Sequence, residues 1–363
     1  MLSDLAFHLA ARGWDVEVVA SRQRYDDPDA QLPRHETERG VRITRVATTR
    51  FGRRFLPGRA IDYATFYLNA FRAIRASRGA IVVAMTDPPL LSVVAALAAP
   101  RVVNWIQDLF PEVAEGLGMR GFGLLRRVRD WSLRRARANV VLGERMAERL
   151  AKIPTIVQHN WATDGLTPVA REANRLRREW GLGSRFVVGY SGNLGRAHEF
   201  ATIVAAARAL PSVEFLIIGG GAQLEAVKSE TRELANVQFR PYQPRELLSE
   251  SLSAADVHLI SLQPQLEGLI VPSKFYGILA VARPAIFIGD RDGEVARLVT
   301  AHRCGFAVEP GNAEALIDAI RTLAADRAAS DAMGRAGRAL YDERFAPAIA
   351  LAAWERILAE VSA

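Results

Sequence analysis

The chain has 363 residues, 50% of them apolar and 24% charged, which is enough to bury two ordinary cores and too long for one. Its net charge of +7 rests almost wholly on arginine and favours phosphate-rich or anionic-lipid partners over acidic ones, although a GC-rich genome would leave the same excess. The single cysteine, Cys304, excludes an internal disulfide and a cysteine-based zinc cluster, and reads as a small buried residue of an intracellular chain.

No apolar run approaches the roughly 20 residues that span a bilayer. The longest, Ile81 to Ala99, is cut by Asp87, Pro88 and Pro89. Met1-Leu2-Ser3-Asp4 lacks the basic and apolar regions of a secretory signal, so the expectation is a cytoplasmic chain.

In chain order, Leu5–Arg12 has helical apolar spacing and stops at Gly13, a suitable C-cap. Short β-branched runs predict strands at Asp15–Ala20, Val41–Val46, Ile81–Met85, Val102–Ile106, Asn139–Leu142 and Thr155–Val157, with helical segments between them. That alternation predicts a doubly wound α/β domain over residues 1–165. Periodicity lapses around Asn160–Pro168, a polar helix is expected over Arg171–Trp180, and the alternation resumes. Strands are predicted at Phe186–Ser191, Glu214–Ile218, Val237–Phe239, Val257–Ser261, Ala285–Ile288 and Gly305–Val308, within a second domain spanning residues 166–345. The fold class is therefore α/β, with two facing Rossmann-like domains, parallel sheets and a cleft between them. Residues 346–363 hold an amphipathic helix, Pro347–Val361, which is assigned a possible return to the first domain.

Tyr190-Ser191-Gly192-Asn193-Leu194-Gly195-Arg196 lies between a strand and a helix expected near Glu199. Glycines there let backbone approach an anion, and a helix amino end offers free N–H groups; a purely structural turn is the alternative. Gly219-Gly220-Gly221 ends a second strand, where either a ligand or another backbone comes close. Pro272-Ser273-Lys274 opens a helix and would make a cationic, phosphate-binding start. Asp290-Arg291-Asp292-Gly293-Glu294 follows the next strand, as sugar-binding acids or as an ordinary turn. In the first half, Thr86-Asp87-Pro88-Pro89 and Trp105 to Glu112 follow strands and would open on the opposite wall of the cleft. Leu124–Arg137 is a basic amphipathic segment around Trp131, either a membrane-surface helix or the charged outer face of its own domain. No metal signature is present, His159 and His198 lie near loops, and His258 reads as a core residue.

Ile106 to Glu112, His159-Asn160-Trp161, Ser191 to Gly195, Ile218 to Gly221, Val271-Pro272-Ser273-Lys274 and Asp292-Gly293-Glu294 together, in this order, resemble the family-4 glycosyltransferases of the GT-B fold. The branch is the bacterial one that builds O-antigen, capsule, lipopolysaccharide and exopolysaccharide repeats, and the resemblance spans essentially the whole chain. It implies a retaining, metal-independent transfer of a hexosyl or N-acetylhexosaminyl group from a nucleotide sugar, with UDP the expected nucleotide. The implied acceptor is a membrane-held glycan or polyprenyl-diphosphate sugar, reached from the inner face of the cytoplasmic membrane by peripheral contact with anionic lipid. Nucleic acid is not among the implied partners.

By the family pattern Gly192, Asn193, Gly195, Gly220, Ser273 and the cations Arg196 and Lys274 meet the diphosphate. Tyr242 and Gln243 lie near the base and Glu294 near the donor. Arg196 and Lys274 would offset charge growing on the leaving diphosphate, and Asp108 is the acidic candidate beside the acceptor.

The chain departs from the pattern in three places. Gly277 stands where many members have the second Glu of a pair that holds the ribose, and Glu267 matches the first only approximately. Gln107 replaces a histidine near the sugar. The chain also begins inside what resembles the first helix, which leads to the expectation that a Val/Ile-rich strand and a glycine loop belong before it. The rival readings are a UDP-sugar 2-epimerase and a non-catalytic nucleotide-sugar-binding protein.

Overall fold

The computed structural model describes residues 1–23, 32–51 and 56–362, the side chain of Leu56 excepted. Among the described residues there are thirteen strands: β1 Glu17–Ser21, β2 His35–Glu38, β3 Val41–Val46, β4 Val82–Met85, β5 Val102–Ile106, β6 Ala138–Val141, β7 Ile156–Val157, β8 Val187–Ser191, β9 Glu214–Ile218, β10 Val237–Arg240, β11 Val257–Ser261, β12 Ala285–Ile288 and β13 Gly305–Val308. Among the described residues they form a three-stranded sheet β1-β3-β2, a four-stranded sheet β4-β5-β6-β7 and a six-stranded sheet β10-β9-β8-β11-β12-β13.

The six-stranded sheet is all parallel, and its central strands β8, β9, β11 and β12 are buried almost throughout, as helices on both faces require. Its order steps outward from β8 in one direction and from β11 in the other. The crevice at that reversal, above the strand ends, is where such sheets bind ligands.

The first half is also built on parallel pairs, β1 with β3 and β4 through β7, with one exception. β2 pairs antiparallel with β3 and was not expected, because His35-Glu36-Thr37-Glu38 is polar and offers no apolar alternation. The available signal was its turn: Arg39 and Gly40 both take positive φ (49° and 82°), the two-residue geometry that closes a hairpin.

The polar helix expected from Arg171 is shorter and begins at Arg175. Asn174 ends the preceding turn by accepting the Arg177 amide at 2.9 Å, and Arg171 instead pairs with the buried Asp256. Asp256 also takes the Val187 amide (2.8 Å), so one carboxylate ties the linker to the edge of the second core.

The last helix, Pro347–Ser362, lies against the first, Leu2–Ala11, with Glu355 receiving His8 and Arg12 (3.3 Å each). Beneath that contact Trp354 meets Trp105 of β5, ring centroids 4.6 Å apart, and Trp105 stacks on Trp161 at 5.6 Å. A single apolar cluster runs through these rings into Phe275, Tyr276 and Phe345, so the two halves share a core. His258 is buried with Nε2 2.7 Å from the Leu252 carbonyl, and Cys304 is buried as a free thiol.

Candidate active site

β8 ends at Ser191, and Gly192 then turns with φ 134°. The turn packs against the end of β9: the Gly192 amide donates to the Ile218 carbonyl (2.9 Å) and the Leu194 amide to the Gly220 carbonyl (2.7 Å). A side chain on Gly219 would strike the Gly192 carbonyl, and one on Gly221 would strike Asn193 Oδ1 and the Leu194 carbonyl. Gly219 and Gly221 therefore serve the close approach of a second backbone, whereas Gly220 faces the ring of Tyr242, whose nearest carbon is 3.4 Å from where a Cβ would stand. Gln223 and Gln263 hold the rest of the loop by its carbonyls, at Gly195 (2.6 Å) and Arg196 (2.9 Å). Asn193 and Arg196 are exposed, and the Arg196 guanidinium has no ion-pair partner among the described residues.

The helix after this loop runs Ala201–Ala209 and not from Glu199. Glu199 caps it, accepting the Thr202 amide at 2.9 Å, so a carboxylate already stands at the amino end that sequence reasoning assigned to an anion. The cations close to the turn are Arg196, within the loop, and Lys274.

Lys274 begins the helix Lys274–Ala280, after an exposed Ser273 whose hydroxyl makes no cap bond. Its stem is partly exposed, but Nζ is sealed from solvent with no hydrogen-bond partner, 3.7 Å from the centroid of the Tyr190 ring. A Cβ on Gly192 would be 3.6 Å from that ammonium, so the lysine lies directly beneath the glycine turn. Burial lowers its pKa to about 7. Burial, and then the charge of Lys274, lower the His198 imidazole to about 4. Lys274 is thus a buried ammonium without a hydrogen-bond partner beneath a positive-φ glycine turn.

At the edge of this pocket Tyr242 is 59% exposed, its hydroxyl 3.3 Å from the Gly220 carbonyl, and Gln243 bonds the Pro241 carbonyl at 2.9 Å. Gly277 faces Leu252 (3.4 Å) and Leu166 (3.9 Å), so a longer side chain at that position would enter the core.

On the opposite wall Thr86 Oγ1 accepts the Gln107 and Asp108 amides (3.1 and 3.4 Å). The Asp108 carboxyl is pushed up by burial and then by the charge of Asp87, against a hydrogen bond from Thr86. Gln107 is not free: it exchanges two amide bonds with Asn160, at 3.3 and 2.8 Å. Asn160 and Trp161 were legible as a pattern but not in their roles. Asn160 orients Gln107, and Trp161 braces Trp105 while donating to Asp4 at 3.2 Å.

The two walls meet. The Leu109 amide donates to the Leu269 carbonyl (2.9 Å), Asp108 bridges Ile270, and Arg149 donates to the Glu267 carbonyl (3.0 Å). A polar recess of about 340 Å³ lies at this seam, lined by Arg145, Glu148, Arg149, Glu267 and Gly268. Asp290 to Gly293 form a turn, with the Asp292 amide on Asp290 Oδ1 (2.9 Å). The buried Glu294 takes the Arg145 amide at 3.0 Å, placing its carboxylate against the first domain. Among the described residues no cluster of three or more His, Cys, Asp or Glu could hold a metal ion.

Two sequence families cover most of the chain: the one described as Glycosyl transferase 4-like domain matches residues 1–154, and Glycosyl transferases group 1 matches residues 172–340. WbjE of Pseudomonas aeruginosa, named as a glycosyltransferase, is 28% identical over 71% of this chain and 70% of its own. WcaI of Escherichia coli K12, named as a colanic acid biosynthesis glycosyl transferase, is 26% identical over 86% of this chain and 85% of its own. Among solved structures, a sucrose-phosphate synthase of Thermosynechococcus elongatus superposes with TM-score 0.81 at 19% identity, covering 99% of this chain and 92% of that one. Anabaena HepE in complex with UDP and glucose superposes with TM-score 0.70 at 16% identity, covering 88% and 87%. The epimerase alternative is not favoured by these matches. The chain belongs to the GT-B glycosyltransferases of family 4.

Proposed function

We propose that the chain moves a hexosyl or N-acetylhexosaminyl group from a UDP-sugar to a membrane-held glycan or polyprenyl-diphosphate sugar, with retention and without a metal. The observation that carries the reading is Lys274 Nζ, buried beneath Gly192 with no partner of its own. A diphosphate at the Gly192–Gly195 turn would meet that ammonium from below and Arg196 from the exposed side, with Asn193, Gly220 and Ser273 around it. As the glycosidic bond breaks, negative charge grows on the leaving diphosphate, and the two cations offset it where a metal otherwise would. Tyr242 and Gln243 offer a platform beside the base, and Asp108 orients the acceptor hydroxyl from the other wall. HepE, with a related fold, was crystallised with UDP and glucose, which favours a uridine donor.

The membrane-facing part of the reading rests on the helix Gly123–Arg135. Leu124 is 70% and Trp131 40% exposed, while Arg127 and Arg134 have no ion-pair partner among the described residues. No helix among those residues is long and apolar enough to cross a membrane, so the contact would be peripheral.

The test is a thermal-shift screen of nucleotide sugars in EDTA and again in magnesium, followed by transfer assays with the stabilising donor. A UDP-sugar should raise the midpoint equally in both. Stabilisation only with magnesium, or by no uridine nucleotide, defeats the proposal.

A further inference from the structure

Three glycines at the seam between the domains each face an element of the opposite domain more closely than a Cβ normally comes, so that an added side chain must displace backbone at Gly268 and the end of a side chain at Gly116 and Gly143. A Cβ on Gly116 would stand 2.7 Å from Leu266 Cδ2, one on Gly268 2.8 Å from the Arg145 carbonyl oxygen, and one on Gly143 2.5 Å from the Glu294 carboxyl carbon. They differ in what their backbones need. Gly268 has φ 73°, which favours glycine whatever its surroundings. Gly143 sits at φ −173°, ψ 169°, extended backbone that any residue adopts. The nearest atoms to a Cβ there all belong to the Glu294 carboxylate of the other domain, so a side chain at this position would displace that carboxylate.

The carboxylate that occupies this space is bound by the first domain: the Arg145 amide donates to Glu294 Oε2 (3.0 Å). The amide of Glu294 itself donates to Glu267 Oε1 (2.9 Å), and Arg149 holds the Glu267 carbonyl (3.0 Å). A chain of contacts thus runs from the Glu267 loop through Glu294 to residues 143–149 of the first domain.

We propose that Glu294 is a positioning residue: its carboxylate, seated in the space left by Gly143, latches the two domains together through the Arg145 amide and so sets the approach of acceptor to donor. The proposal deepens the transfer reading above and rests on it for its catalytic consequence, but not for its structural one. A carboxylate that binds amides of the opposite domain spends its acceptors there, and a cleft held a fraction of an ångström too wide loses the alignment on which transfer depends.

The experiment uses the full chain and four variants: Gly143→Ala, Glu294→Ala, Glu294→Gln and the double variant Gly143→Ala/Glu294→Ala. Hydrogen exchange of the segment 143–149, UDP affinity from calorimetry and turnover are read for each. Gly143→Ala should speed exchange of the Arg145 amide and cut turnover roughly 10- to 100-fold, with UDP affinity within about twofold of the parent, because the nucleotide's contacts lie within the second domain. Glu294→Gln keeps a carbonyl oxygen for the Arg145 amide and should retain most turnover, whereas Glu294→Ala should not. The double variant has lost the clash along with the carboxylate, so it should match Glu294→Ala and not add the two losses.

Unchanged exchange of the Arg145 amide in Gly143→Ala, additive losses in the double variant, or a Glu294→Gln as inactive as Glu294→Ala would each overturn the latch. A fall in UDP affinity equal to the fall in turnover would make Glu294 a donor ligand and overturn it as well. The exchange and UDP arms need no sugar transfer, so an absent activity would count against the transfer reading and leave the latch still decided by those arms.

Discussion

Lys274 Nζ stands 3.7 Å from the centroid of the Tyr190 ring, and that ring face is the nearest thing to a counter-charge it possesses. A cation on a tyrosine face gains about 0.5–2 kcal/mol, less than burial of an unpaired ammonium costs. The site is therefore destabilised until an anion arrives, and two measurements of opposite sign follow. Replacing Lys274 by Met removes the unpaired ammonium and fills the same channel, so the apo protein should melt about 2–6 °C higher near neutral pH. The same variant should lose most of the stabilisation that a UDP-sugar gives the parent. A variant that melts lower and still binds would place the diphosphate elsewhere.

The pKa of Lys274 also fixes a pH dependence. Its folded value, lowered to about 7, lies below the ordinary 10.5, so between those two pH values the unfolded chain carries more protons and apo stability should rise with pH. Binding runs the other way. A diphosphate needs the ammonium, so a UDP-sugar, whose diphosphate does not titrate in this range, should bind more weakly as pH rises above about 7 and take up close to one proton per site near pH 8. Calorimetry in two buffers of different ionisation enthalpy reads that proton directly, and zero uptake at pH 8 would contradict the assignment.

Much of this was legible in the sequence, for reasons that also explain what was not. β3, β5, β9, β11, β12 and β13 were bounded as found because each is a β-branched or apolar run closed by polar or small residues. β2 escaped because a polar edge strand is defined by its partner and not by its own pattern. The glycine turns announced themselves, since backbone close to backbone demands glycine. The bond made by the Glu199 carboxylate was not legible, because a carboxylate next to a predicted helix start says nothing of whether it turns back to cap it. Gln107 with Asn160 and Gly143 with Glu294 join residues far apart in the chain, and no local spacing encodes them.

Tyr242 offers a test of the base platform. It is exposed and lies over Gly220, and its hydroxyl makes only a long contact with that residue's carbonyl. Stacking of a base on an aromatic ring contributes about 1–3 kcal/mol, so Tyr242→Ala should weaken UDP at least several-fold while Tyr242→Phe binds as the parent does. Equal losses in both would mean that the hydroxyl, not the ring, meets the nucleotide.

Asp108 should show itself in the acid limb of the pH–rate profile. Its carboxyl is raised by burial first and by Asp87 second, so a role that needs the carboxylate is lost as pH falls through a value above the usual 3.8. Asp87→Asn removes the like charge and should move that limb to lower pH. Because a raised folded pKa costs stability once pH passes it, Asp108→Asn should also melt higher at neutral pH while losing activity. An acid limb indifferent to Asp87 would remove Asp108 from the reaction.

The helix Gly123–Arg135 divides its arginines between two tasks, and the division makes the membrane reading testable. Arg129 is buried against Glu112 at 2.7 Å and Arg126 reaches Glu112 and Glu115, so both serve the domain itself. Arg127 and Arg134 are exposed without a carboxylate partner among the described residues, and Arg135 lies over the Trp131 ring at 5.4 Å, with Leu124 on the same outward side. An arginine near an anionic surface contributes about 1 kcal/mol, so these three together are worth on the order of 100-fold in affinity. At 1 M salt the screening length falls to about 3 Å and most of that attraction disappears. The full chain should therefore co-sediment with phosphatidylglycerol vesicles at low salt, stay in solution with phosphatidylcholine vesicles, and release at 1 M salt. Arg127→Ser/Arg134→Ser/Arg135→Ser should abolish sedimentation without changing UDP affinity, because the nucleotide site lies in the other domain. Trp131→Ala should weaken sedimentation and leave its salt dependence intact. Binding that survives both high salt and the triple substitution would move the contact away from this helix, and the charged face would then be only the outer surface of its own domain.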